Sequence, residues 1–188
     1  MHTNQEGRSM IEMLGVLGII GVLSVGGLMI VGKARRQQEI TQDVSEVSQL
    51  IDSAKKMSCQ YDTEYGNYAN FLYRSEAYPS GIEYGNGKFT LSSDLDVEMP
   101  YVAAGSGTDE SMHPHFVVKI SNMSDDTCVN LASSNWGATN GNGFIGATFT
   151  NVSDFSVMLA NYPRMDPGTA ATGCVDNATL YLGFRACK

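Results

Sequence analysis

Glu12 is the one charge between Arg8 and Lys33, and it stands directly before twenty consecutive uncharged residues, Met13 to Gly32. A carboxylate at the head of such a run is costly if left unpaired in hydrocarbon, so the chemistry it implies is ion pairing with a cation that must be brought to it. Four cysteines follow, at 59, 128, 174 and 187. None falls in a Cys-x-x-Cys pair, so the spacing for a zinc site or a dithiol redox motif is missing and disulfides are indicated. The sequence alone leaves all three pairings of Cys59, Cys128, Cys174 and Cys187 open. His113 and His115 flank Pro114 without an evident third metal ligand, and they read as loop residues. Asp94, Asp96 and Glu98 alternate with Leu95, Val97 and Met99, the pattern of a half-buried strand with a solvated acidic face. They lack the loop glycine and ligand count of a calcium motif. Gly141-Asn142-Gly143 is a turn, since no Lys-Ser or Lys-Thr follows to make a phosphate loop. No nucleophile pairs with a base, so the reading is of a non-enzyme without metal or cofactor.

These groups need elements to position them. At about 1.5 Å per residue, Met13 to Gly32 makes roughly 30 Å of helix, the thickness of a bilayer core. Six glycines interrupt it, at 15, 18, 21, 26, 27 and 32, each costing up to about 1 kcal/mol of helix propensity. Small residues let membrane helices approach closely, and they also ease local unwinding. Beyond Gly32 the helix continues as an amphipathic one. Ile40, Val44, Val47, Ile51, Ala54 and Met57 form its apolar stripe, and Gln, Glu, Asp and Ser fill the other side. The whole helix is about 50 residues long. Tyr61 to Pro79 carries five tyrosines with little periodicity and reads as a loop whose rings pack on the helix and on a neighbouring subunit. Strand-like runs follow at Lys88–Leu91, Val97–Ala103, His115–Ser121, Gly143–Thr150 and Ala178–Arg185. A second helix is expected from Ser124 to Ser134, where Asp125 and Asp126 favour the dipole. A third is expected from Asp154 to Ala160, and Pro167 opens another turn before Cys174. The expected fold is α+β, a long N-terminal helix packed on one face of a largely antiparallel sheet, with a disulfide-bonded C-terminal domain.

Composition narrows the class. The chain has 188 residues, a net charge of −8 and only 17% charged residues. Nucleic acid is not an expected partner, because phosphate neutralisation needs clustered Lys and Arg. About 130 residues beyond the helix suffice for a single core.

Gly7-Arg8-Ser9-Met10-Ile11-Glu12, followed by the apolar run, resembles the processing site of type IV prepilins and of type II secretion pseudopilins. The resemblance covers the first fifty residues. It implies a leader at 1–7, cleavage between Gly7 and Arg8 by a prepilin peptidase, and N-methylation of the new amine. It also implies that Glu12 is the acid retained for filament assembly. Arg8 stands where the family most often has an apolar residue, and the basic residues Lys33, Arg35 and Arg36 follow the apolar run instead of preceding it. An orientation with the C-terminus outside suits a cysteine-bearing domain. The segments implied are a membrane-spanning and filament-core helix at 8–32, an amphipathic spine at 33–58 and a globular head at 59–188. In the type IVb pilins, which the chain resembles most, one bridge joins the second helix to a cysteine near the C-terminus. Carried over, that pairs Cys128 with Cys174 and leaves Cys59 with Cys187. The implied role is a filament subunit, held in the inner membrane as precursor and then polymerised on the cell surface. Its implied partners are further copies of itself, the peptidase, the membrane and the inner-membrane assembly machinery. A secretion pseudopilin and a membrane-anchored adhesin are the alternative readings.

Overall fold

Helix α1 (Glu6–Gln60) begins the structure and runs for 55 residues. The computed structural model describes residues 6–60, 67–100, 115–136, 143–149, 165–175 and 177–185; for 6–9, 25–29, 59–60 and 115 it describes the backbone alone. The chain divides into two compact units, Met1–Glu39 and Ile40–Lys188. In the first, the described side chains of α1 are exposed throughout.

In the second unit, α1 buries the stripe its spacing predicts. Ile40, Val47, Ile51 and Ala54 are buried, Leu50 joins them, and Val44 and Met57 pack against the core. Two acids depart from the expectation. Asp43 and Glu46, placed by the sequence on the polar side, are only 2% and 7% exposed. Their burial is tolerated because a turn supplies hydrogen bonds to their oxygens. Ser93 Oγ donates to Asp43 Oδ1, and Ser92 Oγ donates to Glu46 Oε1 at 2.7 Å. Gln42 Nε2 adds a bond to Glu46 Oε1 at 2.8 Å.

After α1 comes a short helix, α2 (Tyr68–Arg74), where the sequence reads as a loop. Asn67 caps it, its side chain accepting from the Ala69 and Asn70 N–H groups, and Ala69 and Leu72, one turn apart, are fully buried. Local capping and two buried contacts outweigh the lack of periodicity among the tyrosines. Next is a hairpin of β1 (Glu83–Gly85) and β2 (Lys88–Thr90). Asn86 and Gly87 turn it with φ of 54° and 81°, the positive pair that a tight hairpin needs. Strand β1 was not expected from the sequence. Then follow β3 (Asp96–Glu98), β4 (His115–Ser121), α3 (Asp125–Ser133), β5 (Phe144–Thr148), α4 (Pro167–Gly173) and β6 (Leu180–Arg185). Helix α3 starts one residue later than the sequence suggests, because Ser124 is its cap and not its first turn.

The strands lie in the order β1-β2-β3-β4-β6-β5, every pair antiparallel. One face of this sheet carries Phe89, Val97, Phe116, Val118, Ile120, Leu180, Leu182 and Phe184, which form one core with Val47, Leu50, Ile51 and Ala54 of α1. Each large side chain fully buried there contributes about 1.5–3 kcal/mol. The other face bears two of the three acids expected to be solvated, now ion-paired: Lys88 with Asp96 at 2.6 Å and Lys119 with Glu98 at 2.8 Å; the third, Asp94, stands in the turn before β3 with a φ of 65°.

A disulfide joins the two later helices. Cys128 of α3 bonds Cys174, the cap of α4, with an S–S distance of 2.02 Å and Cα atoms 5.7 Å apart. The Trp136 indole N–H, just after α3, donates to Leu131 O at 2.8 Å and seals this corner.

Candidate assembly site

Among the described residues, fourteen large hydrophobic side chains are exposed, and twelve of them lie between Met10 and Val31 of α1. The head accounts for only Tyr73 and Val175. The exposed residues include Ile11, Leu14, Leu17, Ile20 and Leu23, and also Met10, Met13, Val16, Ile19 and Val22. At about 100° per residue these positions go round the whole helix. A helix apolar on every side normally belongs inside a larger protein or a membrane, so this surface is built to be covered by something outside the described chain.

Three features sharpen the site. Glu12 projects from the same helix, exposed, one residue before the uncharged run. A β-carbon at Gly15, Gly18, Gly21 or Gly32 would meet nothing within 4 Å, so no contact in the described chain requires glycine there. Ser24, the run's hydroxyl, is satisfied within its own helix, donating to Ile20 O at 2.7 Å. Among the described residues no helix is long and apolar enough to cross a membrane; the side chains at 25–29, inside the uncharged run, are not among those described.

The expected processing junction, Gly7 and Arg8, lies in the first turn of α1. The Arg8 side chain is outside the described residues, as is any pairing with Glu12. Of the cysteines, Cys128 and Cys174 are brought together as expected from the resemblance. Cys59 sits near the C-terminal end of α1 and Cys187 lies outside the described residues, so that second bridge does too. The same holds for His113, for the expected helix at 154–160, and for the far end of the strand expected at 97–103. Of the five tyrosines expected in a loop, Tyr61 and Tyr65 lie outside the described residues. The others pack on the sheet: Tyr68 against Phe116 at 5.6 Å between ring centroids, Tyr78 against Phe89 at 5.3 Å, and Tyr73 stacked on Tyr84 at 4.2 Å.

Electrostatics in the head are local. The Asp166 carboxyl, capping α4, is held below the ordinary carboxylate range, chiefly by the Thr169 hydroxyl and then by the Thr169 N–H. Lys119 is raised above its ordinary value, first by its hydrogen bond to Glu98. Among the described residues no group of three or more His, Cys, Asp or Glu is arranged to hold a metal ion.

Sequence reasoning missed the Asp43–Ser93 and Glu46–Ser92 contacts, because they join residues about fifty positions apart. It also missed the fit of Gly173 against Phe149. Only the Asn86-Gly87 dipeptide could have exposed β1 in advance.

No family model and no curated protein matches the chain. Among solved structures, the crystal structure of a type IV b pilin from Salmonella typhi is similar, with a TM-score of 0.47 and 13% identity over 81% of this chain and 99% of that one.

Proposed function

We propose that this chain is a structural subunit of a type IV pilus-like surface filament, cut between Gly7 and Arg8 and polymerised through the apolar half of α1. The observation that carries the reading is the exposure of every described large apolar side chain of α1 from Met10 to Val31, whereas among the described residues of the second unit only two large apolar side chains, those of Tyr73 and Val175, are exposed. In the precursor this surface is covered by the inner membrane. In the fibre it is covered by the same segment of other copies. The work of the protein is mechanical.

Cleavage supplies the cation that Glu12 needs, the new amine at Arg8. At about 4 Å and an effective dielectric near 20, amine and carboxylate attract by roughly 4 kcal/mol before desolvation is subtracted. The pair therefore matters more for register than for net affinity. A buried acid without a partner is costly, which favours the axial offset that brings Glu12 of an arriving subunit to the amine of its neighbour. Before docking, Arg8 and Glu12 are four apart on one helix, the spacing at which their side chains can neutralise each other while the subunit waits in the bilayer.

The test is electron microscopy of cells with and without the gene. Surface fibres that vanish on deletion support the reading. Loss of protein export with no fibre in either strain would replace it with a secretion pseudopilin, and monomeric binding of glycan or matrix by the head would replace it with an adhesin.

A further inference from the structure

Charge is divided unevenly along this chain. Residues 40–188 hold seventeen Asp and Glu against eight Lys and Arg, whereas no acid lies between Glu12 and Glu39 and the cations Lys33, Arg35 and Arg36 directly follow the apolar run. Packing such acidic heads side by side in a fibre costs repulsion unless cations come between them. Lys33 and Arg35 are exposed, and neither makes an ion pair or a hydrogen bond among the described residues. Glu39, one turn beyond Arg35, is exposed as well, and no ion pair joins the two. Ile30 and Val31, just before these cations, are also exposed, so the cations continue the same uncovered helix surface.

The head offers the opposite. At one end of the sheet, Asn122 donates from Nδ2 to Asp94 O in the turn before β3 at 2.7 Å, and Asp125 and Asp126 open α3 three residues later. Asp94, Asp125 and Asp126 are exposed, and residues 91–95 and 121–133 contain no Lys or Arg. The carboxylates of Asp94 and Asp125 have no partner among the described residues.

From this we infer that Lys33 and Arg35 of one copy pair with Asp94 and Asp125 on the head of a neighbouring copy. The inference rests on the filament proposed above and adds an ionic contact to the apolar one. A small cation would satisfy the acids but leave Lys33 and Arg35 without partners, whereas a second copy satisfies both sets. Two different surfaces of one chain that fit each other make a heterologous contact, and such a contact repeats from copy to copy into an open filament. Charge pairs at its edge also exclude wrong offsets, because like charges brought together are costly.

The experiment counts surface fibres by electron microscopy, normalised to the membrane-held subunit that carries the Cys128–Cys174 bridge. Cells express wild type, K33D/R35D, D94K/D125K, the quadruple variant, or the two double variants together, with no other copy present. Each double variant alone sets like charges at the contact, and its fibres should fall roughly tenfold or more. Co-expression of the two should restore fibres, since the acidic helix of one then meets the basic head of the other; the quadruple variant should restore them too. Normal fibre numbers from either double variant, or a loss that neither combination restores, would overturn the inference and leave the filament reading intact. Restoration by the quadruple variant alone would place the pairs within one chain and overturn it equally. Wild-type cells without fibres would instead remove the filament reading, and the inference with it.

Discussion

A β-carbon at Gly173 would overlap the ring of Phe149, so the last residue of α4 has no room for even a methyl group. Gly173→Ala should therefore destabilise the head by about 1–3 kcal/mol, the usual range for overpacking, read as a lower denaturant midpoint. In a Phe149→Ala background the same change should cost much less, because the clash is with that ring. Equal costs in both backgrounds would show that helix geometry, not the ring, sets the requirement. At the other end of α4, Asp166 carries a pH dependence. Its folded carboxyl lies below the ordinary range, so its stabilising effect is fully present above the unfolded value of about 3.9 and is lost as pH falls through the lower folded value. Hydrogen-exchange protection of the Ala170 and Cys174 amides, which bond to Asp166 O and Ala170 O, should drop below about pH 4. Asp166→Asn keeps a capping oxygen but no titration, and it should flatten that dependence.

At the scale of elements, the bridge between α3 and α4 closes 46 residues of sequence separation. Loop entropy assigns such a closure about 4 kcal/mol. The double variant Cys128→Ser, Cys174→Ser should lose about that much in equilibrium unfolding of the head; a loss under about 1 kcal/mol would mean that the packing of Cys128, Leu131 and Ala170 holds the corner without it. Elements announced by local pattern were legible in the sequence. Strand β4 matches its expected span, His115–Ser121, because its apolar run is closed by Asn122, whose φ is 63°. Helix α3 was legible from Ser124 and the acids after it. Strand β1 was not, since three residues, Glu83–Gly85, are too few for periodicity to register. Helix α2 was hidden because its cap and its two buried residues sit inside a tyrosine-rich segment. Asp43 and Glu46 read as surface acids because their serine partners come from a turn that only the folded sheet brings to α1. For the candidate site the position is reversed. Glu12 and the uncharged run are local features and were visible at once, while the groups proposed to cover them lie in other molecules.

For the molecule as a whole, we propose that the apolar half of α1 assembles copies of this chain, with Glu12 setting their register. Membrane anchoring alone would need the same apolar run but not the acid. The direct measurement compares wild type with Glu12→Ala, each expressed as the sole copy, by electron microscopy and intact-mass analysis of sheared surface material. The account predicts wild-type fibres whose subunit begins at Arg8. It predicts that the variant is cleaved, inserted and bridged at Cys128–Cys174 but yields few or no fibres. Normal fibres from Glu12→Ala, or a surface subunit that still carries Met1 to Gly7, would contradict it.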